Sequence, residues 1–126
     1  MSVSNQDVLK VLRSARRLVS NPKKWIKHQS EHLGDDGKVS YCIHGAIEAA
    51  AFAGSANRAA RSASERAIRA RREVVKAIAV YSGGEWDIAS YNDRYRTTHK
   101  DVYKVLTRAI KEVEAKCGKP MTLPSP

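Results

Sequence analysis

Apolar residues recur at helical spacing in four separate stretches of this chain, and each stretch stops at Pro, Gly or a cap-forming side chain. That pattern confines the fold to a bundle of short helices. In the first stretch Val8, Leu12, Ala15 and Val19 fall at i, i+4, i+7 and i+11, one face of a helix, widened by Leu9, Val11 and Leu18. Ser4 with Asp7 three residues later predicts a capping box with Asp in place of Glu. The pattern ends at Ser20-Asn21-Pro22, because Pro disfavours helical geometry in the residue before it. Asn21 as N-cap and Pro22 at the first helical position predict a short helix through Trp25 and Ile26.

Leu33-Gly34-Asp35-Asp36-Gly37-Lys38 is turn chemistry, a plain loop or a hairpin tip, with Val39 and Tyr41 making a poor strand. A helix from about Tyr41 to Ala53 has Ile43, Ala46, Ile47 and Ala50 on its apolar face, and Gly54 stands where a C-terminal cap belongs. The longest helix runs from about Ala59 to Tyr81, with Ala63, Ala67, Ala70, Val74, Ile78 and Tyr81 on one side, and ends at Gly83-Gly84. Glu85 to Arg96 reads as an ordered aromatic loop with at most one helical turn. Thr98 with Asp101 is a second cap signal for a final helix carrying Val102, Leu106, Ala109, Ile110 and Val113, closed by Gly118 and Pro120. The expectation is an all-α compact single-domain bundle of four or five helices over residues 1–118, with a flexible Pro-containing tail over 119–126.

A chain of 126 residues is one domain by size, and 42% hydrophobic with 29% charged residues is a folded composition. Two cysteines exclude a disulfide framework. No apolar run approaches the roughly 18 residues of a membrane span, and the first residues lack the apolar segment of a signal peptide. A cytoplasmic protein with no membrane contact is expected.

The net charge of +10 sits unevenly. From Arg58 to Lys76 there are seven basic and two acidic residues, a net +5. Arg dominates this stretch, and Arg presents a planar fork of donors that matches phosphate bidentately. Arg58, Arg61, Glu65, Arg69, Arg72 and Lys76 face away from the apolar stripe. Lys100, Lys104, Arg108 and Lys111 form a second basic stripe, and Lys10, Arg13 and Arg17 a third. Two such stripes bordering one groove would favour a phosphate-bearing partner. The plain alternative is a solvated face laced with i, i+4 pairs such as Glu65–Arg69.

Trp25, Trp86, Tyr91 and Tyr95 flank loops beside basic residues, the combination that stacks a base and neutralises its phosphate. The plain reading makes both Trp residues core plugs. His28, His32, Cys42 and His44 are metal-capable, but without a CxxC pair or HExxH no metal site is assigned, and surface histidines with a buried thiol are expected. Cys42 near a helix N-terminus is the one candidate nucleophile; His44 is too close in sequence to serve as its base, which leaves His99 or His28, and a packed thiol is the commoner outcome. Glu85, Asp87 and Asp93 are the carboxylates available for acid–base work, with capping the expected role of Asp93. There is no Walker loop, GxGxxG or GxSxG.

Trp25, the segment Cys42-Ile43-His44-Gly45-Ala46-Ile47, and Trp86 … Asn92-Asp93 … Thr98-His99-Lys100-Asp101-Val102 … Arg108-Ala109-Ile110 together resemble a family of small actinobacterial and bacteriophage proteins known as a domain of unknown function. The resemblance spans about residues 8 to 113. The family pattern has Arg immediately before the capping Thr, whereas here Thr97 separates Arg96 from Thr98. The resemblance implies a compact helical domain and a phage or mobile-element origin, and no established activity. Its shared elements also have structural explanations: Gly45-Ala46 permits close packing, Asn92-Asp93 organises a turn, and Thr98 with Asp101 caps a helix.

The functional expectation is a non-enzymatic protein, without a cofactor, that binds a nucleotide-sized anionic ligand and serves as a phage accessory or counter-defence protein. Arg61, Arg69, Arg72, Arg94 and Arg96 are the expected phosphate contacts, and Trp86, Tyr91 and Tyr95 the expected stacking surfaces. A DNA- or RNA-binding strip is the first alternative. An inhibitor or adaptor docked on an acidic protein surface is the second, and homo-oligomers are compatible with each.

Overall fold

Ser4 and Asp7 form the reciprocal box that opens the first helix, α1 (Asn5–Leu18): Ser4 Oγ accepts from Asp7 N at 3.1 Å, and Asp7 Oδ2 accepts from Ser4 N at 3.1 Å. Those backbone and hydroxyl donors hold the Asp7 carboxyl below its ordinary pKa. The computed structural model describes residues 3–53, 60–84 and 86–117. Gly54, Arg58, Glu85, Gly118 and the expected tail lie outside the described residues.

After α1, Asn21 caps a single 3-10 turn, Pro22–Lys24, by accepting from Lys23 N at 2.9 Å. The turn is shorter than expected because Trp25 is extended and bridges in parallel to Tyr41. The Gly/Asp segment proves to be the tip of a hairpin, β1 (Glu31–Leu33) against β2 (Val39–Tyr41), antiparallel with His32 opposite Ser40. Gly37 takes the positive φ of 80° that the tip requires. Tyr41 therefore belongs to a strand, and α2 begins two residues later (Ile43–Phe52) with Cys42 as its N-cap.

Next comes α3 (Ala60–Ser82), which stops at Gly83 (φ 72°), whose N–H reaches the Ala79 carbonyl. A six-residue helix, α4 (Ile88–Asp93), stands inside the stretch read as a loop, and Asp87 caps it by accepting from Ser90 N at 2.8 Å. Finally, α5 (His99–Lys116) opens on the Thr98/Asp101 box, with Asp101 Oδ2 accepting from Thr98 N at 2.9 Å.

Four helices enclose the core. α1 packs on α2, α3 and α5, and α3 packs on α2 and α5, while α4 closes the end formed by α2 and α3. Leu12, Ile43, Ile47, Ile78 and Leu106 are fully buried at the centre. Small residues set the spacing: Ala15, Ala46, Ala63, Ala67, Ala70 and Ala109 are buried, so helix axes approach closely. Tyr81, expected on this face, is instead 44% exposed with Lys104 5.2 Å from its ring. Among the described residues no helix is long and apolar enough to cross a membrane.

Candidate functional site

Three of the sequence segments that carry the resemblance, Trp25, Cys42–Ile47 and Asn92-Asp93, meet at one buried side chain. Asn92 Oδ1 accepts from Trp25 Nε1 at 2.7 Å and from Ile43 N at 3.0 Å. Its Nδ2 donates to the Ile26 carbonyl and to Asp93 Oδ1, both at 3.0 Å. An amide oxygen accepts twice and an amide nitrogen donates twice, so the hydrogen-bonding capacity of Asn92 is used in full. Ile43 N is one of the orphan donors at the start of α2, so Asn92 also caps that helix from outside.

Asp93 continues the junction: its Oδ1 accepts from His28 N at 2.7 Å, and Oδ2 lies 3.7 Å from His28 Nδ1. It caps loop backbone and not a helix end: its acceptor meets the N–H of His28, which sits in the left-handed region at φ 69°. Burial pushes the Asp93 carboxyl up, yet the donors His28 N and Asn92, with the charges of His28 and Lys27, outweigh it and leave the pKa below its ordinary value. Lys27 Nζ donates to the Arg94 carbonyl at 2.7 Å. On the other side of the junction a Cβ on Gly45 would lie 1.9 Å from the Ser30 carbonyl oxygen, so only glycine fits.

The expected contacts divide into two groups that the fold keeps apart. Arg94, Trp86 and Tyr91 do come together. The Arg94 guanidinium lies 5.4 Å from the Trp86 ring centroid and 5.0 Å from that of Tyr91, and Arg94 Nε donates to Thr97 Oγ1 at 3.2 Å. Trp86 and Trp25 are half-buried against the core. Tyr91 is buried, which pushes its phenol pKa up. Beside this group, Tyr95 is 96% exposed and Arg96 is exposed.

Arg61, Arg69 and Arg72 occupy the first part of α3, with Arg72 about 15 Å along the axis from the end that meets α4. Arg69 donates to the Val3 carbonyl and, at 2.7 Å, to Asn5 Oδ1, so it clasps the segment leading into α1. Arg66 donates to the Ala51 carbonyl at 3.0 Å, and Arg71 pairs with Glu48. Arg61 and Arg72 are exposed and have no side-chain partner among the described residues.

A basic groove does form, between α1 and α5. Arg13, Arg16, Arg17, Ser20 and Tyr103 line a cleft of about 260 Å³. Arg13 pairs with Glu114 at 2.8 Å. Arg16 donates to Thr107 Oγ1 at 3.1 Å and lies 5.4 Å from the Tyr103 ring centroid. Arg17 is exposed, and its guanidinium has no partner among the described residues. Beneath the groove His99 Nε2 donates to the Val19 carbonyl at 2.6 Å, tying the end of α1 to the start of α5. The lysine stripe of α5 takes no part: Lys104 covers Tyr81, and Arg108 pairs with Glu112 at 3.0 Å.

A model for a family of unknown function (DUF6197) matches residues 3–112, from just before α1 through most of α5. The chain belongs to this family. No curated protein and no solved structure matches it. In this DUF6197 chain Trp25, the Cys42–Ala46 segment and Asn92-Asp93 all belong to the buried junction, so they serve the fold first. The groove drew little attention in the sequence. Arg13 and Arg17 stood out at helical spacing, with Arg16 on the same helix, but Tyr103 joins them only through the pairing of α1 with α5. The one available signal was the cluster Arg13, Arg16, Arg17 on a single helix.

Proposed function

We propose that this protein is a non-enzymatic, cytoplasmic binding protein for a phosphate-bearing ligand of nucleotide size, seated in the groove between α1 and α5. The observation that carries this reading is the set of three guanidinium groups from one helix in a single cleft, beside one carboxylate, that of Glu114. Arg17 and Arg16 meet the phosphate with paired N–H donors, and Tyr103 offers its ring edge and hydroxyl to the rest of the ligand. In a phage setting such a binder would act by sequestering a nucleotide signal of host defence.

A nucleic-acid strip along α3 is the weaker reading, because Arg66, Arg69 and Arg71 are engaged with the protein's own groups. Calorimetric titration with inorganic phosphate, mononucleotides and a short DNA duplex tests the proposal. Mononucleotide binding that weakens about tenfold in Arg17→Ala is expected, as for loss of one charge-assisted bond. Binding of the duplex alone, falling steeply with salt, would overturn the groove reading in favour of the strip.

A further inference from the structure

The outer face of α3 carries a stripe that the bundle does not use. Arg61, Glu65, Ile68, Arg72 and Val75 follow one another at alternating steps of four and three residues, so they share one side of the helix. Two β-branched apolar side chains stand in it, Ile68 45% and Val75 37% exposed. Elsewhere on α3 the charged groups are satisfied within the chain: Arg66 by the Ala51 carbonyl, Arg69 by Val3 and Asn5, Arg71 by Glu48, and Glu73 by Lys116. On the stripe, Arg61, Glu65 and Arg72 have no side-chain partner among the described residues. The charges decide what fits. A phosphate backbone or a wholly acidic surface would meet the Glu65 carboxylate within the stripe and find only Ile68 beside it. A second copy of the same stripe, laid antiparallel, complements it. Glu65 precedes Ile68 by about 4.5 Å along the axis and Arg72 follows it by about 6 Å, on the same flank. Turning the helix end for end about Ile68 therefore exchanges the positions of the carboxylate and the guanidinium. Parallel pairing would instead set Glu65 on Glu65 and Arg72 on Arg72.

We propose that α3 pairs with the same helix of a second copy of this chain, antiparallel about a two-fold axis at Ile68, to form a reversible homodimer. The two Ile68 side chains pack on each other at the axis. Each Glu65 meets the partner's Arg72, and Val75 lies toward the aliphatic stem of the partner's Arg61. The two-fold symmetry makes the Glu65–Arg72 pair twice in one contact. One helix per copy is a small contact beside the roughly 800 Å² per partner of a standard interface, so dissociation falls in the micromolar-to-millimolar range. The stripe shares no residue with the groove between α1 and α5, and the dimer does not depend on the ligand proposed there.

Sedimentation velocity of the full chain, in a concentration series reaching about 1 mM, tests the proposal. At about 0.15 M salt the repulsion between two chains of net charge +10 is screened beyond about 8 Å. A monomer–dimer equilibrium is expected, abolished by Ile68→Asp. Glu65→Arg and Arg72→Glu each weaken it by about tenfold or more, because each sets like charges face to face. Arg72→Glu does so although it lowers the net charge, which separates local pairing from overall repulsion. Mixing the Glu65→Arg chain with the Arg72→Glu chain restores both pairs in a heterodimer, and the double variant restores them in a homodimer. None of these side chains is buried, so helical circular dichroism stays unchanged and the readout is association alone. A chain monomeric up to about 1 mM overturns the proposal, and its binding poly-glutamate through Arg61 and Arg72 would assign the stripe to an acidic partner. A dimer indifferent to Ile68→Asp, or one that the mixed charge swaps fail to restore, overturns it as well.

Discussion

Asn92 shows how much one polar side chain can organise when every donor and acceptor on it is used. Replacing it by Ala leaves Ile43 N buried, and Trp25 Nε1 and the Ile26 carbonyl part-buried, without these partners. Each such group costs about 1–3 kcal/mol, so Asn92→Ala should lower the unfolding free energy by about 3 kcal/mol or more in urea titration. Gly45→Ala forces a methyl group onto the Ser30 carbonyl, and a loss of about 3 kcal/mol is expected by the same measurement. Acid acts at this scale too. Asp93 and Asp7 have folded pKa values below the ordinary 3.8, so the stability they contribute is complete above that value. It is lost as the pH falls through their lower folded values, and a thermal melt series from pH 5 to pH 2 should show the decline beginning only below about pH 4.

Among the elements, those set by neighbours in sequence could be read in advance, and those set by distant partners could not. The boxes at Ser4/Asp7 and Thr98/Asp101 and the stop at Gly83 depend on residues within one turn, and each stands where the sequence placed it. The hairpin escaped a firm reading because β2 has only three residues and depends on Trp25, held in turn by Asn92. The six-residue α4 is too short to persist alone and exists because Ile88, Tyr91 and Asn92 are buried against the bundle. On α3 the arginine periodicity was evident, but the division of labour within it was hidden, since the partners of Arg69 are Val3 and Asn5. Arg69→Ala should therefore cost about 1.5–3 kcal/mol, as for hydrogen bonds to a charged group, while Arg72→Ala should stay within about 0.5 kcal/mol. Denaturant midpoints of the two variants compare these directly.

At the scale of the whole molecule, the helical class and the single bundle followed from periodicity, while the location of the basic groove depended on which helices become neighbours. Nothing local says that α1 lies beside α5, yet that pairing turns Arg13, Arg16, Arg17 and Tyr103 into one surface. If the groove binds phosphate-bearing ligands, saturating ligand should raise the melting temperature of the unaltered chain and raise that of Arg17→Ala less, because only binding to the native state stabilises it and a tenfold weaker affinity removes about 1.4 kcal/mol of that stabilisation. The same pairing has a temporal consequence. Residues 19–98 separate the end of α1 from the start of α5. At about 5–20 residues per second a ribosome needs roughly 4–16 s to cross that interval. Throughout it the face of α1 that packs on α5 lacks its cover. That face of α1 therefore stays open until α5 has emerged, long after the helix itself has left the ribosome.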